Sequence, residues 1–407
     1  MTTLTQRSYY QLSRVLGRLG QSERAERALT RATSGPAADP RWLHRLAVAL
    51  RRRGDQAGAA DAFGRAIDNH DDAPARWYLE LGGAAERSGR LEAAGAAYLR
   101  WSQFKPLPDG LDAVLLDRNV RQFVPRRNAV TFVHERLEDL RAAAAARQVV
   151  EDRSDAVWVY WAQGFEQAPD VVRMCRATMS RHLTRPVVEL DDKNVDELVT
   201  FPDDIDALVT NRTARSDLLR LELLARYGGT WLDSTCYLTN DVGAQVTESA
   251  RPSGFFAPTK EDTTIGTWNM TSGPGHYLVT MTLEALYALW RRDGKLPHYF
   301  TFHHLFEALA LTDPKFGELF AATPRIATAA SLNLRHWMGR DVTDKEFERV
   351  LARIDIHKLS YKSGAENTGP RSVLGRLFAA EPKAGASSGS AAPATSAAKD
   401  ENSVGTA

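Results

Sequence analysis

Three glycines, Gly20, Gly54 and Gly89, recur at offsets of 34 and 35 residues, each between two stretches of helical period rich in Ala, Leu and Arg. A period of that length belongs to solenoids of helix-turn-helix units, and it restricts the start of the chain to an all-α array. Aligned on the glycines, Leu12, Leu46 and Leu81 fall in register in the first helix. Ala25, Ala59 and Ala94 do so in the second, followed four residues later by Leu29, Phe63 and Tyr98. Glycine suits the sharp turn, a small residue lets the paired helices approach, and a large one fills the gap beside the next unit.

The pattern resembles the tetratricopeptide repeat (TPR), and Pro106 falls where that family often ends its second helix. The TPR-like module is assigned to residues 1–106. Such arrays commonly offer a concave surface to a peptide or protein partner; the alternative is a collar packed on the next domain. Residues 107–150 then form a helical linker or cap, with helices expected over 111–121 and 128–147.

The chain has 407 residues, 43% hydrophobic and 25% charged, enough for two or three cores. A formal net charge of +1 excludes a surface built wholly to hold nucleic acid and names no partner. Two cysteines, Cys175 and Cys236, are too few for a disulfide framework or a four-ligand zinc site, which fits a cytoplasmic setting. The first ten residues lack the apolar core of a signal peptide, and no run approaches the ~18 apolar residues of a transmembrane helix, so membrane association is expected to be peripheral, at the inner face. Residues 371–407 are expected to be mostly a disordered tail; from 381 on they are mainly Ala, Ser, Gly, Thr and Lys without an aromatic residue.

From Asp155 the period changes. Ala156, Val157, Trp158, Val159, Tyr160 and Trp161 read as a buried strand running into Gly164; a helix over 168–182 and a second strand over 186–190 complete a parallel βαβ unit. In open α/β sheets ligands lie at the carboxyl ends of strands, which makes Gln163 and Gly164 candidates for contact with a nucleotide. Asp191 and Asp192 read as a solvated strand end.

Residues 211–237 carry the most chemistry. Arg212, Arg215, Asp217 and Arg220 lie on a helix otherwise rich in leucine, which ends in Tyr227, Gly228 and Gly229; Thr230, Trp231 and Leu232 form a short strand, and Asp233, Ser234 and Thr235 follow its end. Asp217 and Arg220, three apart, share a helical face and could meet a ligand near that strand.

This set resembles the capsular polysaccharide synthesis glycosyltransferases and, more distantly, the sugar transferases with a DXD motif (glycosyltransferase family 32), bacterial toxin glucosyltransferases included. The matching residues are the Trp158 to Gly164 opening, Ser216 to Arg220, and Gly228 to Asp233. Trp268, then Tyr299, Phe300, His303 and His304, and finally His357 to Lys362 continue it, so that it covers about half the chain, which runs to 407 residues. It implies a GT-A fold, a Rossmann-like mixed sheet within an α/β catalytic domain over 151–370, and a nucleoside-diphosphate sugar as donor. It further implies that Asp217 and Arg220 meet the donor's hydroxyls or phosphate and that Asp233 lies at a metal-diphosphate site. Arg215 and Trp268 are counted with the donor-binding residues.

Breaking an anomeric C–O bond leaves a departing diphosphate, which Mg²⁺ or Mn²⁺ can neutralise while taking carboxylate ligands. The expected metal set is Asp233, Thr235 and His357, with Thr235 standing where a fuller DXD motif has its second aspartate. Lys358 and Lys362 could neutralise phosphate as point charges. The same residues could serve structure alone. Asp217 and Arg220 could be a surface pair worth ~0.3–0.5 kcal/mol. Asp233 could cap a turn, and Trp268 could be core or stack on the base. Adjacent His303 and His304 face different ways and read as core or capping residues, and Cys236 as buried in the next strand.

The expected activity is transfer of a hexose from a UDP-type donor to a carbohydrate or lipid-linked acceptor in surface or capsular polysaccharide synthesis, with retention of configuration. The alternatives are a protein acceptor recruited by the repeats, or a repeat adaptor whose transferase domain is degenerate. No nucleic-acid partner and no transmembrane segment are expected.

Overall fold

The protein is described from a computed structural model over residues 4–261, 264–362 and 366–381. Its first part is three helix pairs: Leu4–Arg18 with Ser22–Ala32, Pro40–Arg53 with Gln56–Asp68, and Ala75–Arg87 with Leu91–Ser102. The three repeat glycines sit in the inter-helix turns at φ of 73°, 93° and 82°, the left-handed conformation expected of them. Leu29, Phe63 and Tyr98 are all buried, as is Leu46, whereas Leu12 of the first pair is 46% exposed.

The cap holds the helices Leu111–Arg118 and Phe123–Ala146. The second begins five residues before its expected start, because Pro125 occupies its first turn, where a missing N–H costs nothing. It packs on the helices Tyr277–Asp293 and Thr301–Thr312.

The described strands, in chain order, are β1 (Val157–Tyr160), β2 (Val187–Leu190), β3 (Gly229–Leu232), β4 (Cys236–Leu238), β5 (Phe255–Phe256), β6 (Thr259–Glu261), β7 (Thr264–Ile265), β8 (Asn269–Ser272) and β9 (Ile356–Lys358). Five form one sheet in the order β2-β1-β3-β8-β5. β1 runs parallel to both β2 and β3, while β8 is antiparallel to β3 and to β5, so the sheet is mixed. β3 is central, and Trp231 on it and Trp158 on β1 are essentially inaccessible to solvent. Gly229 opens β3 at φ 95°, and a Cβ there would lie 2.6 Å from the Ala156 carbonyl oxygen.

The chain forms two compact units. The first is Met1–Gly164, Thr184–Asp233 and Gly243–Thr328; the second is Phe165–Leu183, Ser234–Val242 and Ala329 onward. In the second, β4 pairs antiparallel with β9, and Cys175, Tyr237, Leu334 and Leu374 share a core. Cys236 is fully buried in β4, where it was expected.

The helix Val373–Ala380 falls inside the segment 371–407 read as mostly disordered. Ser372 caps it, and Val373, Leu374 and Leu377, at helical spacing, give it an apolar face to bury. The rest of the expected tail, 382–407, lies outside the described residues.

Candidate active site

The helix Arg212–Tyr227 is set from both ends. Asn211 caps its start, its side chain accepting from the Thr213 N–H at 2.8 Å. Near the other end the buried Glu222 receives Arg226 Nε at 2.7 Å and, from other helices, the Arg147 guanidinium and the Tyr287 hydroxyl. A carboxylate 1% exposed demands such partners, and they fix the helix in rotation. Leu218, Leu219, Leu221 and Leu224 are buried, and Arg220 is buried with them at 6% exposure.

β3 delivers Asp233 to the same place. Arg220 Nη1 is 3.1 Å from Asp217 Oδ1 and donates to the Thr267 carbonyl at 3.0 Å. Its Nη2 lies 3.4 Å from Asp233 Oδ1 and 3.3 Å from Ser216 Oγ. The guanidinium also stands over the Trp231 ring, 5.2 Å from its centroid, while the indole N–H donates to Asp233 Oδ1 at 2.9 Å. Burial and, less strongly, the charge of Asp233 push the Asp217 carboxyl above its ordinary range, against the opposing pull of Arg220. One buried guanidinium therefore separates two carboxylates drawn from a helix and a strand.

Asp217, Arg220 and Asp233 line one cavity of about 510 Å³ with Trp290, Lys295 and His303 among its other walls. Two residues of its lining, Trp290 and His303, each have a ring nitrogen (Nε1 and Nδ1) that is shielded from solvent and has no hydrogen-bond partner among the described residues. Buried donors and acceptors without partners are what a bound polar ligand could relieve. Burial first, then the charges of Lys260 and Arg220, lower the His303 pKa to about 4. Tyr299 is 80% exposed and also lines this cavity.

The remaining candidates lie elsewhere. Gln163 and Gly164 follow β1 in a turn where the Gly164 N–H donates to the Trp161 carbonyl at 2.8 Å, and they do not line the cavity. Arg215 is turned away from it, stacked 4.7 Å over Phe201 and paired with Asp206 and Asp196. Trp268 is 7% exposed and contributes its carbonyl, which accepts from the Asp233 N–H at 2.9 Å. In the second unit Lys358 Nζ donates to Thr235 Oγ1, and Lys362 Nζ stands 5.4 Å from the centre of the Tyr361 ring.

The donor chemistry of the expected metal set fits only in part. Asp233 is a hard oxygen donor of the kind Mg²⁺ or Mn²⁺ takes. The Thr235 hydroxyl is engaged by an ammonium group, and His357 is fully buried with Nε2 3.2 Å from the Leu351 carbonyl. Neither of those two is poised for a cation. Sequence reasoning placed the Asp217, Arg220 and Asp233 group but read His303 as core or cap and passed over Trp290 and Lys295. The run of rings from His298 to His304 was the one signal that marked this wall.

The family model described as capsular polysaccharide synthesis protein matches residues 119–377. The chain belongs to that family. The matched part contains every described residue of the cavity, whereas the first six helices precede it. A search of the curated proteins finds no match. A solved structure titled PaToxG Glycosyltransferase is 13% identical, covers 50% of this chain and 84% of its own, and has a TM-score of 0.31, too slight a likeness to bear on fold or chemistry. No described helix is long and apolar enough to cross a membrane.

Proposed function

We propose that the chain is a GT-A glycosyltransferase that moves a hexose from a nucleoside diphosphate, UDP in the first instance, to a carbohydrate or lipid-linked acceptor in capsular or other surface polysaccharide synthesis. It would work at the cytoplasmic face of the membrane, with the TPR-like repeats offered to a protein partner. Family membership supports the setting. The observation that carries the chemistry is Arg220 held between Asp217 and Asp233 on the wall of a cavity of about 510 Å³.

In this reading Arg220 is kept straight by its carboxylates and the Thr267 carbonyl, and it offers a fixed cation to donor hydroxyls or phosphate. The Asp, Arg and Lys side chains lining the cavity leave no surplus positive charge to meet a diphosphate. We therefore assign to Asp233 one ligand position for Mg²⁺ or Mn²⁺, an ion that would neutralise the leaving diphosphate. Asp217, with its raised affinity for a proton, would orient a sugar hydroxyl by hydrogen bonding.

The reading includes retention of anomeric configuration, in which no protein base is required. Both carboxylates of the cavity are ion-paired to Arg220, and an imidazole with a pKa near 4 is poorly matched to taking an alcohol proton at neutral pH. The departing phosphate oxygen would accept that proton instead.

The test is donor hydrolysis over a panel of sugar nucleotides with and without Mn²⁺. Asp233→Asn should reduce it about 100-fold with the thermal midpoint little changed. If no donor is hydrolysed and none stabilises the fold, the transferase reading fails.

A further inference from the structure

The first helix, Leu4–Arg18, packs on one side and is bare on the other. Its inner side lies on the helix Ser22–Ala32 and, through Tyr10, on Trp42 of the next pair, the two rings stacked 4.3 Å apart. Ser13, on the same side, is 8% exposed. At about 100° per residue the opposite side consists of Leu4, Ser8, Leu12 and Val15. Leu19 continues the row just past the helix, where its N–H still donates to the Val15 carbonyl at 3.1 Å.

The apolar members Leu4, Leu12, Val15 and Leu19 are 85%, 46%, 51% and 65% exposed. Ser8 interrupts the row little, because its hydroxyl donates to the Leu4 carbonyl at 3.1 Å. Single exposed leucines are ordinary on a surface, but four aliphatic side chains in one stripe mark a contact face.

Charge decides what kind of surface would cover it. Arg7, Arg14 and Arg18 fall together along one edge of the stripe, and all three are exposed. On that side Arg45 of the next pair holds its guanidinium 5.6 Å from the centre of the Tyr10 ring. No acidic residue precedes Glu23, and residues 1–106 hold 17 Lys and Arg against 11 Asp and Glu although the whole chain carries only +1. An aliphatic stripe edged with arginine suits the interface of an anionic bilayer, where the leucines enter the acyl boundary and the guanidiniums meet lipid phosphate. A second copy of the chain fits less well: helix against helix, it would set the same arginines against each other with no carboxylate between them.

We propose that the exposed face of Leu4–Arg18 docks the protein on an anionic lipid surface. This gives the membrane-face setting proposed above its point of contact, while lipid binding itself does not depend on sugar transfer.

The full chain is sedimented with vesicles of phosphatidylcholine containing about one third phosphatidylglycerol. Saturable binding is expected, weaker by roughly ten-fold or more on phosphatidylcholine alone and at high salt. Leu12→Gln with Val15→Gln should weaken it about ten-fold, and Arg7→Gln with Arg14→Gln roughly twenty-fold, both with the wild-type thermal midpoint because these side chains are exposed. Absent binding, equal binding to neutral vesicles, or binding unaltered in both variants overturns the proposal. So does a chain that ignores vesicles but forms a dimer lost in the Leu12 and Val15 variant, which would give the stripe to a second copy. Donor hydrolysis without vesicles is expected to be the same in wild type and both variants. Its absence from all three would remove the transferase reading and leave lipid binding standing.

Discussion

The Trp231 indole N–H donates to Asp233 Oδ1 across 2.9 Å, so the ring that fills the sheet at β3 also aims the carboxylate that leaves it. Trp231→Phe keeps the packing and the platform under Arg220 but removes that donor. We expect donor hydrolysis to fall roughly ten-fold through kcat, with a loss of stability near 1 kcal/mol. A steady-state comparison with a denaturant titration checks it, and an unaltered kcat would show that the indole does not position Asp233.

Tyr299 lies at the cavity with its ring 80% exposed, packed edge-on against Phe300 with centroids 5.0 Å apart. An aromatic face offered to solvent beside a polar cavity suits a sugar ring. Tyr299→Ala should raise the acceptor KM about three- to ten-fold with kcat unchanged, the size of a lost stacking contact. A fall in kcat with constant KM would contradict this.

Much of the Asp217, Arg220 and Asp233 group was legible because its parts lie close in sequence. Asp217 and Arg220 share one helical face by period alone, and Gly228 and Gly229 announced the turn into the strand before Asp233. What was not legible depended on distant segments. Arg215 has the same residue type and helix as Arg220, yet it serves Phe201, Asp206 and Asp196, a choice made by which loop packs beside it. His303 looked like a capping histidine until β6, β7 and the cap helix met around it, contacts that no local pattern encodes. The helix Val373–Ala380 was hidden by the composition of the tail that follows it.

Gly229 offers a test of how tightly β3 is set. At φ 95°, and with the Ala156 carbonyl 2.6 Å and Trp158 Nε1 2.8 Å from a would-be Cβ, no side chain fits without moving β1. Gly229→Ala should cost about 3 kcal/mol or more, combining left-handed strain with overpacking. Chemical denaturation measures it. A loss below 1 kcal/mol would mean that the β1–β3 junction gives way.

The pH dependence of stability should carry the mark of His304. Burial foremost, then the charges of His298 and Arg126, hold its folded pKa near 3, against an ordinary 6.5. Between those values the unfolded chain binds a proton that the folded chain refuses. Stability therefore rises with pH across this window and is lost as pH falls from 6.5 toward 3. At about pH 5 the penalty from this ring is roughly 2 kcal/mol, and near pH 7 it has almost vanished. His304→Gln removes the titrating group while keeping a hydrogen-bonding side chain opposite Gln122. Urea unfolding at both pH values should show a smaller acid-induced loss in the variant by about that amount. Equal losses in the two proteins would mean that water or an anion reaches the ring in the folded state and lets it take its proton.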